Sequence, residues 1–147
     1  MHLVLAGSGT NEEYIDSLKA LVKELGIENR VHFIGQVDDI AALHAESDIF
    51  VLQSLSEGCP VALLEAMACG KACVATDVAG ARDIIEDGRD GILVPPKDPP
   101  ALATAFAKLG ESSSFRRKLG EFARRKVEEK YVIEREVRAY EELLSRV

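Results

Sequence analysis

The sequence has no tryptophan, and aromatic residues make up only 5% of its 147 positions. That scarcity argues against a stacking platform for single-stranded nucleic acid. Positive charge is in deficit: 18 Lys and Arg stand against 25 Asp and Glu, a formal net charge of −7. No nucleic-acid partner is expected from that balance. Cysteine is scarce, with Cys59, Cys69 and Cys73 an odd set that forms no Cys-x-x-Cys pair. Reduced, packed thiols in a cytoplasmic protein are expected, not a disulfide framework or a zinc site. His2, His32 and His44 are scattered and not at ligand spacing, so no metal is expected. No apolar run reaches the ~18 residues of a membrane span, and no leader pattern opens the chain.

Several catalytic signatures are also missing. There is no Walker A sequence and no Gly-x-Ser-x-Gly elbow. Gly7-x-Gly9 begins like a dinucleotide fingerprint, but Glu12 stands at the third glycine, where an acid would repel a pyrophosphate.

What is present is alternation. Leu3–Ala6, Val31–Ile34, Asp48–Leu52, Ala72–Ala75 and Gly91–Val94 are short, apolar runs of the kind buried on both faces of a parallel sheet. Between them lie helical patterns, the first capped by Asn11 and ended by Gly26. The others cover Asp38–Ala45, Pro60–Cys69 and Ala81–Ile85. This order predicts an α/β fold, a doubly wound parallel sheet. After Pro95-Pro96 the pattern turns helical to the end, over about 100–109, 112–130 and 133–145. No linker or repeat marks a second domain.

One helix carries an anomaly. From Cys59 to Cys69 the only charged residue is Glu65. A helix apolar all round is expected to be buried. A buried carboxylate costs several kcal/mol unless hydrogen-bond donors meet it. A protein cation is the plain choice of partner, although none lies nearby in sequence. The hydroxyls of a ligand, a vicinal diol above all, are the sharper choice. Glu57 and Gly58 precede this helix at the carboxyl end of a strand, where open α/β sheets bind ligands. Pro60 suits the first helical turn. The helix N-terminus offers N–H groups to a phosphate or sugar, and Gly58 permits close approach. Were the stretch mostly helical, Glu57 and Glu65 would lie roughly 12 Å apart. That is wider than a hydrolytic carboxylate pair, so they are expected to grip different parts of one ligand.

The run Ser47-Asp48-Ile49-Phe50-Val51-Leu52-Gln53-Ser54-Leu55-Ser56-Glu57-Gly58-Cys59-Pro60, continued to Leu64-Glu65-Ala66-Met67-Ala68, resembles the retaining GT-B glycosyltransferases of family 4, or group 1. Leu5–Gly9, Arg30–Gly35, Val74–Gly80 and Asp87–Pro96 extend the resemblance over nearly the whole chain. It implies the Rossmann-like, nucleotide-sugar-binding C-terminal half of such an enzyme, followed by C-terminal helices. By that resemblance Glu65 binds the ribose diol and Glu57 lies by the hydroxyls of the transferred hexosyl group. Backbone around Gly58, Cys59 and Pro60 approaches sugar and diphosphate, and Leu64 packs near the phosphates. Gly7 and Gly9 border the nucleotide pocket, and His32, Phe33, Ile34 and Gly35 lie beside the base. Catalytic weight falls on Glu57 and Gly58. The donor is a nucleotide-diphospho-sugar, and no metal or other cofactor is expected.

The same resemblance implies that residues 1–147 lack the domain's first strand-helix unit and the N-terminal acceptor domain. The chain is therefore expected to be incompetent alone and to need that domain or a separate subunit. The alternative is a non-catalytic nucleotide-sugar-binding module, or the donor-binding subunit of a split transferase. Arg116-Arg117-Lys118 and Arg124-Arg125-Lys126 are expected to share one helical face, which could meet anionic lipid in a peripheral membrane role. The stripe of Val137, Tyr140, Leu143 and Leu144 is expected to leave an exposed apolar patch.

Overall fold

The computed structural model describes residues 1–7 and 11–145. In chain order its elements are β1 (Leu3–Ala6), α1 (Glu12–Glu24), a 3-10 turn (Glu28–Arg30), β2 (Val31–Gly35), α2 (Ile40–Glu46), β3 (Ile49–Leu52) and α3 (Val61–Ala68). Then come β4 (Ala72–Thr76), α4 (Ala79–Ile84), β5 (Ile92–Val94), α5 (Pro99–Glu111), α6 (Ser113–Lys130) and α7 (Ile133–Leu144). Residues 1–43 and 44–147 form two compact units.

In the first unit β1 and β2 pair in parallel, Leu3 opposite Val31. The register shifts between Leu5 and Ala6, so Ala6 meets Gly35. Asn11 caps α1 as expected, its side chain accepting from the Tyr14 N–H at 3.0 Å. Gly26, at φ +64°, ends that helix in the left-handed conformation.

In the second unit β3, β4 and β5 lie in that order, all parallel. Side chains alternate across a strand. Cys73 and Ala75 of β4 therefore join one core, with Leu63, Ala66 and Met67 of α3 and Ala81 and Ile84 of α4. Ala72 and Val74 join the other, with Ala105 and Leu109 of α5. Helix α6 serves both. Phe115 and Leu119 pack in the second core, while Ala123, Val127 and, just past the helix, Tyr131 pack in the first. Gly120 lies between them, so close to the preceding chain that an added Cβ would stand 2.0 Å from the Gly70 carbonyl oxygen.

Burial of every strand on both faces holds for β4 alone. Leu3 and Val4 of β1 are 39% and 42% exposed, and β3 is half-buried throughout. The reason is position: among the described residues only β4 has a paired strand on each side. The stripe on α7 is exposed as expected, at Val137, Tyr140, Leu143 and Leu144. No helix among the described residues is long and apolar enough to cross a membrane.

The turn between α4 and β5 is closed by a buried ion pair. Asp90, only 2% exposed, accepts from the Glu86 N–H at 2.8 Å and pairs with Lys126 Nζ. Lys126 also donates to the Ile84 carbonyl at 2.8 Å. The expected single basic face on α6 is thereby broken. Lys126 turns inward, and Arg116 reaches Asp48 at 3.5 Å and the Leu109 carbonyl at 2.5 Å. Arg117, Lys118, Arg124 and Arg125 remain exposed.

Candidate functional site

The β3–α3 connection, Gln53–Pro60, follows the carboxyl end of β3. Two hydroxyls shape it. Thr76, the last residue of β4, donates its Oγ1 hydrogen to the Ser54 carbonyl at 2.5 Å. The same oxygen accepts from the Ser54 N–H at 3.1 Å. One side chain thus occupies both backbone groups of Ser54, just beyond the last paired residues, Leu52 and Ala75. Ser54 Oγ in turn donates to Glu57 Oε1 at 2.5 Å. The main chain of Glu57 is held separately, its carbonyl accepting from the Gly80 N–H at 3.0 Å.

Glycine at 80 is a steric requirement. A Cβ there would sit 2.5 Å from the Gly58 oxygen and 2.7 Å from the Glu57 oxygen. A Cβ at Gly58 itself would meet nothing within 4 Å. The chain's own packing leaves the space before Gly58 open.

Pro60 is buried and stands as the N-cap of α3, one place earlier than its expected position in the first turn. The first amides of a helix lack carbonyl partners within it, so α3 begins with free donors and a partial positive charge. Leu64 is half-buried against the core. Glu65 departs from expectation. Helix α3 is not buried all round: Leu63, Ala66 and Met67 face inward, while Val61, Ala62, Glu65 and Ala68 are exposed. The apolar residues on the outer face are small or single, and that misled the count of charges. Glu65 therefore bears no large burial cost. Its carboxylate has no cation within ion-pair distance among the described residues. Helical rise does not measure the separation of Glu57 and Glu65, because the chain turns helical only at Val61.

Cys59 and Cys69, expected to be packed, are exposed free thiols at either end of α3, and Cys73 is buried. In the first unit, Gly7 and Gly35 come together at the strand ends. Gly7, at φ +123°, donates its N–H to the Gly35 carbonyl at 2.7 Å. His32, Ile34 and Gly35 are exposed and Phe33 half-buried on β2. Gly9 lies outside the described residues. A depression lined by Asp48, Lys71, Ala72 and Arg116 lies at the opposite, amino ends of β3 and β4. Among the described residues no group of His, Cys, Asp and Glu is arranged to hold a metal ion.

His44 was not singled out by sequence, yet it is 5% exposed, with its ring edge-on to Phe50 at 5.5 Å. Burial pushes its imidazole below the ordinary 6.5, the Glu65 carboxylate pulls it partly back, and Lys71 pushes it down. The folded chain therefore binds this proton less readily than the unfolded chain. The contribution to stability is complete above pH 6.5 and is lost as pH falls below that value. His44→Gln should flatten the fall in melting temperature between about pH 7 and 5.5. A fall as steep as that of the unchanged protein would refute the assignment. Glu65→Gln should lower the His44 pKa further, as read by NMR titration.

Residues 1–126 match the family model described as glycosyl transferases group 1. The chain belongs to the group 1 glycosyl transferases. The chain is 40% identical over 139 residues to N-acetyl-alpha-D-glucosaminyl L-malate synthase of Bacillus anthracis, covering 95% of the chain and 36% of that protein. Its fold matches that of HepE from Anabaena in complex with UDP, at a TM-score of 0.96 and 27% identity, over 100% of this chain and 41% of that one. It also matches the C-terminal domain of LpcC, a group 1 family protein from Francisella tularensis, at a TM-score of 0.83 and 33% identity, over 90% of this chain and 70% of that one. The chain thus has the Rossmann-like α/β fold of GT-B C-terminal domains, and spans 36% of the curated relative.

Two of the residues that shape the site were missed by sequence reasoning. Thr76 and Gly80 fell within a stretch noted only for its resemblance. The signal for Thr76 was a hydroxyl ending an otherwise apolar strand.

Proposed function

We propose that the chain binds a nucleotide-diphospho-sugar and serves retaining transfer of its hexosyl group to an acceptor. The observation that carries this reading is Glu65, an exposed carboxylate with no cation in ion-pair reach among the described residues, on a helix that starts shortly after Glu57 and Gly58 at the carboxyl end of a strand. Glu65 accepts hydrogen bonds from the ribose diol. Glu57, held by Ser54, contacts hydroxyls of the sugar. Backbone donors around Gly58, Cys59 and the start of α3 meet the diphosphate, and the partial positive charge there stabilises the leaving group. No metal is required for that neutralisation. Leu64 packs near the phosphates.

In the transfer step the bond between the anomeric carbon and the diphosphate oxygen breaks. The acceptor oxygen bonds to that carbon on the same face, through an oxocarbenium-like state. Its proton leaves with the diphosphate. HepE in complex with UDP supports the donor class.

The test is calorimetric titration with UDP, GDP and ADP, each free and joined to a sugar. One nucleotide should bind saturably, and Glu65→Ala should weaken it about tenfold to a hundredfold, the worth of a charged hydrogen-bonding group. Equal affinity in the variant contradicts the role of Glu65.

A second reading is favoured by the chain's matching only 36% of a curated relative. It makes this chain the donor-binding part of an assembly completed by an acceptor domain or subunit, with no transfer activity of its own. Robust sugar transfer by the purified chain would overturn it. The exposed Arg117, Lys118, Arg124 and Arg125 offer a smaller basic surface to anionic lipid than the sequence suggested. Co-sedimentation with vesicles that rises with anionic lipid content supports that contact.

A further inference from the structure

We infer that the β4–α4 junction is the positioning element of the donor loop, with Thr76 at the end of β4 and Gly80 in the first turn of α4 as its two working residues. This rests on the reading of Glu57–Pro60 as the loop that meets the donor.

A loop of eight residues after a strand end has many conformations, and ordering it at the moment of binding weakens affinity. Residues 53–60 are tied down beforehand at two points. Thr76 is 7% exposed and fastens Ser54 by both backbone groups. A hydroxyl can donate and accept at once, which an apolar side chain of the same shape cannot. Ser54 then spends its own hydroxyl on Glu57, so the carboxylate inherits the placement set by Thr76. The second tie is Gly80. Its N–H holds the Glu57 carbonyl at 3.0 Å, and its missing side chain lets Glu57 and Gly58 come within a distance no Cβ would allow. Carboxylate and backbone of the same residue are thus fixed from one strand-helix junction, by different atoms. Neither Thr76 nor Gly80 need touch the donor. They act through Ser54, Glu57 and Gly58.

The chain carrying Thr76→Val keeps the shape of residue 76 and loses both hydrogen bonds, whereas Thr76→Ser keeps the hydroxyl. Amide hydrogen exchange over residues 53–60 and the dissociation constant for the nucleotide-sugar that binds the unchanged chain are measured on all three proteins. Thr76→Val should quicken exchange in this loop and weaken donor binding about threefold to tenfold. Thr76→Ser should restore both towards the unchanged protein. Gly80→Ala should disturb the same loop, through displacement of Glu57 and Gly58. Loop exchange identical in Thr76→Val and the unchanged chain overturns the proposal. So does quickened exchange with unaltered donor affinity. If no nucleotide-sugar binds the unchanged chain, the donor reading fails, and loop exchange alone decides whether the junction positions the loop.

Discussion

Gly120→Ala should destabilise the protein by about 2 kcal/mol or more, lowering the melting temperature by about 5–10 °C. The sign runs against helix propensity, since alanine within a helix is favoured over glycine by about 1 kcal/mol. The reason is the 2.0 Å approach of the new Cβ to the Gly70 carbonyl oxygen. That neighbour is backbone, and Gly70 is itself held at φ +68°, so the chain there has little freedom to withdraw. Helix α6 must move instead. It packs in both cores, through Phe115 and Leu119 on one side and Ala123 and Val127 on the other, so displacement loosens both. A variant melting at or above the temperature of the unchanged protein would show that helix propensity outweighs the close contact.

Lys126→Met should cost about 3–5 kcal/mol, because it leaves the Asp90 carboxylate buried without its cation. The Glu86 N–H remains as a donor to Asp90 but carries no full charge. The double variant Asp90→Asn with Lys126→Met should recover much of that loss. Asparagine still accepts from Glu86, and no charge is left buried. Denaturant unfolding of both single variants and the double one gives the coupling. Losses that simply add would mean that the two groups do not act as a pair.

Much of the fold was legible because it follows short periods. Strand-like runs and helical stripes alternate within a dozen residues of one another, and Asn11 and Gly26 mark helix ends by local chemistry. The location of the candidate site was legible for the same reason, since Glu57, Gly58 and Glu65 fall where a strand gives way to a helix. What escaped joins residues far apart in sequence. Thr76 to Ser54, Gly80 to Glu57, Gly120 to Gly70 and Lys126 to Asp90 are contacts across 22 to 50 positions, and no periodicity encodes them. Glu65 shows a different gap. The apolar count of α3 was sound, but small apolar residues such as Ala62 and Ala68 tolerate solvent as readily as a core. The exposure of Cys59 and Cys69 follows the same pattern, each lying at an end of that helix beyond its inward face.

The placement of the three thiols gives the chain a built-in reporter. Burial drives the Cys73 thiol far above its ordinary range, so it stays protonated and silent towards alkylating reagents. Cys59 and Cys69 are open to reagent, one directly after Gly58 and the other at the far end of α3. Alkylation rates resolved by peptide mass therefore compare a probe at the β3–α3 loop with an internal standard eight residues of helix away. A ligand seated on the loop shields the first thiol more than the second, so occupancy can be followed on the unaltered sequence without an introduced label.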